Sequence, residues 1–84
     1  MVEISHVIKD PLGFHARLVM RVAAEAQRWE SSVVVSHGSH RAEGTDIMGL
    51  MGLEAGQGAE LRVQIEGADE QDAAEFIAHM LRGM

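Results

Sequence analysis

The chemistry this chain could perform concentrates in one run, Gly13-Phe14-His15-Ala16-Arg17-Leu18. From residue 16 onward apolar residues recur at helical spacing, so His15 stands where a loop ends and a helix begins. The first N–H groups of a helix have no internal partners and point out of its N-terminus. Together with the macrodipole they form an anion site, here built on the backbone of Ala16, Arg17 and Leu18. Arg17 adds a fixed charge on a planar set of donors that suits phosphate oxygens. Gly13 gives the preceding loop freedom to turn. The positive helix end favours an uncharged, nucleophilic imidazole and would then stabilise a phosphoryl group attached to it. The dipole contributes only about 0.3–1 kcal/mol when exposed and roughly 2 kcal/mol when partly buried, which holds a group and still lets it leave. Phosphoryl transfer asks mainly for alignment and charge neutralisation. A histidine that merely caps the helix would give the same local pattern.

The other candidates offer less. His37 and His40 flank Gly38-Ser39, a two-residue hairpin turn, and would approach each other across the strands. Two histidines without a third ligand make a poor zinc site, so neither a metal nor another cofactor is expected. His6 and His79 read as ordinary strand and helix positions. Met80 reads as core, and Met48 and Met51 as exposed contacts, because methionine adapts to varied partner surfaces. Trp29 reads as a packing residue.

Seven elements must position these side chains. Residues 2–8, with Val2, Ile4, Val7 and Ile8, read as a strand. Residues 16–28 form a helix with Leu18, Val19, Val22, Ala23 and Ala26 on one face. Residues 32–36 are a second strand, and a third lies near 40–43. Asp46 caps a short helix carrying Ile47, Met48, Leu50, Met51 and Leu53. Residues 60–66 alternate, with Leu61, Val63 and Ile65 inward and Arg62, Gln64 and Glu66 outward. Asp69 and Asp72 open a last helix whose stripe is Ala73, Phe76, Ile77, Met80 and Leu81. The order βαββαβα predicts an α+β fold, one antiparallel sheet with its helices on one face.

With 84 residues the chain is read as one domain, residues 1–84. A domain of this size buries only about 60–65% of its unfolded surface, which leaves little room for a deep cavity. Without cysteine, thiol nucleophiles and disulfide frameworks are excluded. A net charge of −6 argues against nucleic acid as a partner. Arg17, Arg21 and Arg28 form a local basic spot, which fits a small anion or a charge-steered protein contact. The N-terminus lacks signal-peptide character and no apolar run spans a bilayer. A cytoplasmic monomer that engages no membrane is therefore expected.

These residues resemble HPr, the histidine-containing phosphocarrier of the bacterial phosphoenolpyruvate-dependent sugar phosphotransferase system. Gly-Phe-His-Ala-Arg at 13–17 looks like its phosphorylation site, and Asp46-Ile47-Met48-Gly49-Leu50-Met51 looks like the segment around its regulatory serine. Gln57-Gly58-Ala59-Glu60 and Gly67-Ala68-Asp69-Glu70 also match, so the likeness runs along essentially the whole chain. It implies an open-faced β-sandwich of four antiparallel strands and three helices. It implies phosphorylation of His15 on Nδ1 by enzyme I, onward transfer to a IIA component of a sugar permease, and contact of Arg17 with the phosphate. It also implies an apolar docking patch of Phe14, Met20, Ile47, Met48 and Met51. An HPr-like regulator that acts by protein contact, for example on a transcriptional regulator, and a carrier in a nitrogen-related or dihydroxyacetone-type branch are the alternatives.

Three positions depart from the pattern. Leu18 replaces the usual proline, which frees one more amide but loosens the first turn. Asp46 stands where many relatives carry a phosphorylatable serine, so it is either a plain N-cap or a partial imitation of phosphoserine. Ala24 and Gln27 occupy positions that are often basic.

Overall fold

The alternation of residues 60–66 sets the sheet. Leu61, Val63 and Ile65 are buried, while Glu60, Arg62 and Glu66 are exposed. Period-two patterning of this kind places one sheet face on a core and leaves the other wet. A computed structural model describes all 84 residues. The order is β1 (Val2–Val7), α1 (Ala16–Ala26), β2 (Ser32–His37), β3 (His40–Glu43), α2 (Ile47–Met51), β4 (Glu60–Glu66) and α3 (Glu70–Arg82).

The four strands make one antiparallel sheet in the order β1-β4-β2-β3. The most regular strand, β4, lies inside it, with Ile4 opposite Val63 on one side and Val35 opposite Val63 on the other. Val33 and Val35 of β2 join the buried face. The buried faces of the three helices close over that same side. Leu18, Val19, Val22, Ala23 and Ala26 come from α1, Leu50 from α2, and Ala73, Ala74, Ile77 and Leu81 from α3, all in one core cluster. The result is the open-faced α+β sandwich read from the sequence. α2 packs on α1 and β3, and α3 on β1 and β4.

The hairpin forms as expected, with His37 paired to His40 and Gly38 at φ +60°. The His37 ring is engaged through Nδ1 with the Leu53 carbonyl at 2.8 Å. Ends differ by a residue or two. α1 stops at Ala26, with Gln27 as its C-cap, and α2 stops at Met51.

Two side chains depart from the expected pattern. Phe76 falls on the apolar stripe of the last helix, yet it is 53% exposed. Ala74 takes the interior position instead. The Phe76 ring lies on Trp29 with centroids 5.5 Å apart, and the Arg28 guanidinium stands 5.7 Å from it. That outer aromatic contact keeps ring-on-ring and cation–π interactions without a place in the core. Asp69 is the N-cap residue of α3, but its side chain makes no cap hydrogen bond. Its carboxylate accepts instead from the amides of Glu30 and Ser31 and from the Ser31 hydroxyl. It thereby ties the start of α3 to the entry of β2, and these donors hold it below its ordinary pKa, the hydroxyl first.

Candidate functional site

The loop between β1 and α1 is held at both ends by backbone. At its start, Ile8 N–H donates to the Ala59 carbonyl at 2.9 Å and Gly58 N–H donates back to Ile8 at 2.8 Å. At its end, Phe14 N–H donates to the Ala55 carbonyl at 2.8 Å, and the Phe14 ring is buried. Between them Asp10 closes a turn. Its carbonyl accepts from Gly13 N–H at 2.8 Å, and its carboxylate Oδ1 accepts from Leu12 N–H at 2.9 Å. Gly13 takes φ +73° at the exit of this turn. A Cβ there would meet the Ala55 carbonyl oxygen and Gly56 Cα, both at 2.8 Å. Glycine is required on both counts.

This frame delivers His15 to the N-cap of α1. Its backbone is extended at φ −87° and ψ 175°, its carbonyl accepts from Val19 N–H at 3.0 Å, and its side chain makes no cap bond. The ring is therefore not consumed by capping. The amides of Ala16, Arg17 and Leu18 have no acceptor within the protein. The Arg17 side chain is exposed and joins no ion pair. Leu18 serves twice, since its amide is unpaired and its side chain lies in the core.

The His15 side chain keeps 22% of its accessible surface, and its Nε2 lies 3.2 Å from Asp10 Oδ2. The Asp10 carboxyl is held below its ordinary pKa by the Leu12 amide first and by the His15 hydrogen bond second. Partial burial opposes this, and the Arg17 charge adds to it. Asp10 is absent from the sequence reading of the site. The signal that could have found it is Asp-Pro-Leu-Gly at 10–13, where an aspartate that bonds the amide two residues on marks an Asx turn.

The apolar residues expected to dock a partner separate into two groups. Met20, Ile47, Met48 and Met51 are exposed, Met48 by 81%. Phe14 is only 7% exposed, which removes it from that patch, because its amide and ring together anchor the loop inward. Leu12, which the sequence reading passed over, is 78% exposed at the loop tip. Asp46 caps α2, with Oδ1 accepting from Gly49 N–H at 3.1 Å. No cavity adjoins His15. The largest groove, about 380 Å³, runs between α1 and α3 past Arg21, Arg28 and Phe76. The histidine is thus presented on open surface, which suits a group carried in by another macromolecule better than a free small substrate.

An α+β sandwich with an imidazole at the mouth of its first helix, beside unpaired amides and an unpaired guanidinium, defines a class of small proteins that present a histidine at a helix N-terminus. The family model for the PTS HPr component phosphorylation site matches residues 2–82. A phosphocarrier protein HPr of Lysinibacillus sphaericus is 37% identical over 75 residues, covering 89% of this chain and 85% of that protein. One from Neisseria meningitidis is 34% identical over 83 residues, covering 99% and 93%. The crystal structure of HPr-C-His from Thermoanaerobacter tengcongensis superimposes with a TM-score of 0.90 at 28% identity, covering 98% of this chain and 92% of that one. The chain belongs to the HPr family of phosphocarrier proteins of the phosphotransferase system.

Proposed function

We propose that this protein accepts a phosphoryl group on His15 Nδ1 from enzyme I, charged by phosphoenolpyruvate, and passes it to a IIA component of a sugar permease in the cytoplasm. The observation that carries this reading is the arrangement at the start of α1. The ring of the N-cap histidine is free of capping duty, and the three following amides and Arg17 are unpaired. Those donors offset the charge of a phosphoryl group without enclosing it. Ala16, Arg17 and Leu18 bind its oxygens through backbone N–H groups, and the Arg17 guanidinium adds its own.

Met20, Ile47, Met48 and Met51 form the apolar part of the docking surface, with Leu12 beside the site in place of Phe14. A flexible, methionine-rich surface fits more than one partner, as a carrier that meets both a donor and an acceptor requires. Asp46 acts as a helix cap. Its carboxylate is engaged by the Gly49 amide, which leaves the plain N-cap as the simpler account of its charge.

Incubation with phosphoenolpyruvate and the cognate enzyme I is expected to add one acid-labile phosphoryl group, transferable to a IIA protein. His15→Ala should abolish it while leaving the far-ultraviolet circular dichroism unchanged. Phosphorylation that survives in His15→Ala would overturn the assignment.

A further inference from the structure

We propose that Asp10 is a positioning residue for His15: its carboxylate holds the ring hydrogen on Nε2 and so leaves Nδ1 with the free electron pair. The inference rests on reading His15 as the phosphoryl acceptor and deepens it by naming the group that keeps Nδ1 free to react.

The geometry is fixed from the loop side. Asp10 Oδ1 is taken by the Leu12 amide, and the Asp10 carbonyl by the Gly13 amide. The carboxylate is therefore oriented before the ring meets it. The remaining oxygen, Oδ2, lies 3.2 Å from His15 Nε2. An ionised carboxylate only accepts hydrogen bonds, and the Leu12 amide favours the ionised form. Nε2 must then be the donor. In a neutral imidazole one nitrogen carries the hydrogen and the other the lone pair, and Nδ1 has no hydrogen-bond partner within the protein. The His15 backbone is fixed as well, through its amide to Gly13 and its carbonyl to Val19. Ring and carboxylate therefore meet as two preset groups. The relation is that of an orienting aspartate to a catalytic histidine, in which the carboxylate sets the tautomer and offsets the charge the ring acquires without taking its proton.

The step balances without a proton leaving or entering. The Nδ1 lone pair forms the N–P bond as the bond from phosphorus to the donor atom breaks, its electron pair staying on the donor. The ring, with Nε2–H retained, becomes formally cationic opposite the Asp10 carboxylate. On transfer to the acceptor the N–P pair returns to Nδ1 and the neutral Nε2–H imidazole is restored. Arg17, whose charge already acts on Asp10, is the other charged group at the site; its guanidinium is free to follow the phosphoryl oxygens.

The test reads the ring directly. In long-range ¹H–¹⁵N spectra of the neutral ring, the ratio of the Nε2–H to the Nδ1–H tautomer of His15 should fall about tenfold or more in Asp10→Ala, the ratio a charge-assisted hydrogen bond supports. Asp10→Asn should also lower it, because its amide can donate to Nε2. Asp10→Glu should restore it in part. In Asp10→Asn, which keeps an oxygen acceptor for the Leu12 amide and so the loop that carries the docking residue Leu12, phosphoryl transfer from the donor protein should slow at least about tenfold in kcat with KM little changed. A tautomer ratio unchanged in Asp10→Ala, with the loop still folded by amide shifts, would overturn the proposal. A changed ratio with unchanged kcat would overturn it too. A wild-type protein that shows the expected tautomer but accepts no phosphoryl group would remove the functional reading, and the reaction role of Asp10 with it, while leaving the pairing itself in place.

Discussion

Gly13→Ala should be the most damaging small substitution near the site, and its cost can be worked from three terms. Placing a Cβ residue at φ +73° costs roughly 1–2 kcal/mol. The new methyl meets the Ala55 carbonyl oxygen and Gly56 Cα at 2.8 Å, and both are backbone, so relief must come from moving the chain. The nearest movable bond is Phe14 N–H to that same carbonyl, worth about 1 kcal/mol. Alanine recovers about 0.5–1 kcal/mol by restricting the unfolded chain. The net loss is about 2 kcal/mol, or a fall in Tm of roughly 8–16 °C for a domain of this size. Gly38→Ala is the control: its φ is +60° and no atom lies within 4 Å of the added methyl, so only the backbone terms remain. It should cost only about 0–1.5 kcal/mol. Urea unfolding followed by Trp29 fluorescence measures both. If Gly13→Ala fell within 0.5 kcal/mol of Gly38→Ala, a threshold of about the additivity error, the close approach of the loop to Ala55 and Gly56 would not be what fixes the ring.

Further expectations follow from single features. Glu54 is the one non-glycine residue at positive φ, +50°, and it is exposed, so Glu54→Gly should stabilise the protein by about 0.5–1 kcal/mol in the same urea titration. Asp46→Ala removes the cap of α2 and should cost about 1 kcal/mol. The Asp69 carboxyl is held low by the Ser31 hydroxyl and the Glu30 amide. Its contribution is therefore complete above the unfolded value of about 4 and is lost as pH falls through the lowered folded value. Asp69→Asn should be less stable at pH 7 and show a flatter loss of stability below pH 4, read from thermal melts across that window. Met48→Ser should leave stability within about 0.5 kcal/mol, because the side chain is almost wholly exposed, yet raise the KM for the phosphoryl donor protein.

Regular elements were legible in the sequence because their patterns repeat. The strand at 60–66 is bounded as read, since Leu61, Val63 and Ile65 alternate without interruption. The helix from residue 16 is placed correctly at its start, where the loop glycine and the histidine mark the boundary. The misreadings share one cause, a contact with a distant or irregular segment that no local pattern encodes. Phe14 sits beside His15 and the resemblance assigns it to docking, but Ala55, forty-one positions on, takes its amide and the core takes its ring. Phe76 falls on the apolar stripe of its helix, but Trp29 offers it a partner outside. Asp10 looks like a turn residue and is one; that its second oxygen reaches the histidine depends on how tightly the turn closes.

The same long-range ties explain how so thin a domain presents the His15 ring with definite geometry. A carrier gains nothing from holding its cargo tightly, so the ring must be placed without being enclosed. Here the backbone supplies the precision. The Ile8 amide, the Phe14 amide and the Gly13 turn fix the loop against residues 55–59, and the Val19 amide fixes the His15 carbonyl to the helix. The groups left unassigned, the amides of residues 16–18 and the Arg17 guanidinium, are those that an arriving anion would need. Rigid placement of the histidine lowers the entropy lost on reaching an in-line geometry with a partner. The exposure of Arg17 would keep its hold on such a group weak enough to be overcome by the next acceptor. Burying the site more deeply would strengthen every one of those contacts and would slow release along with it.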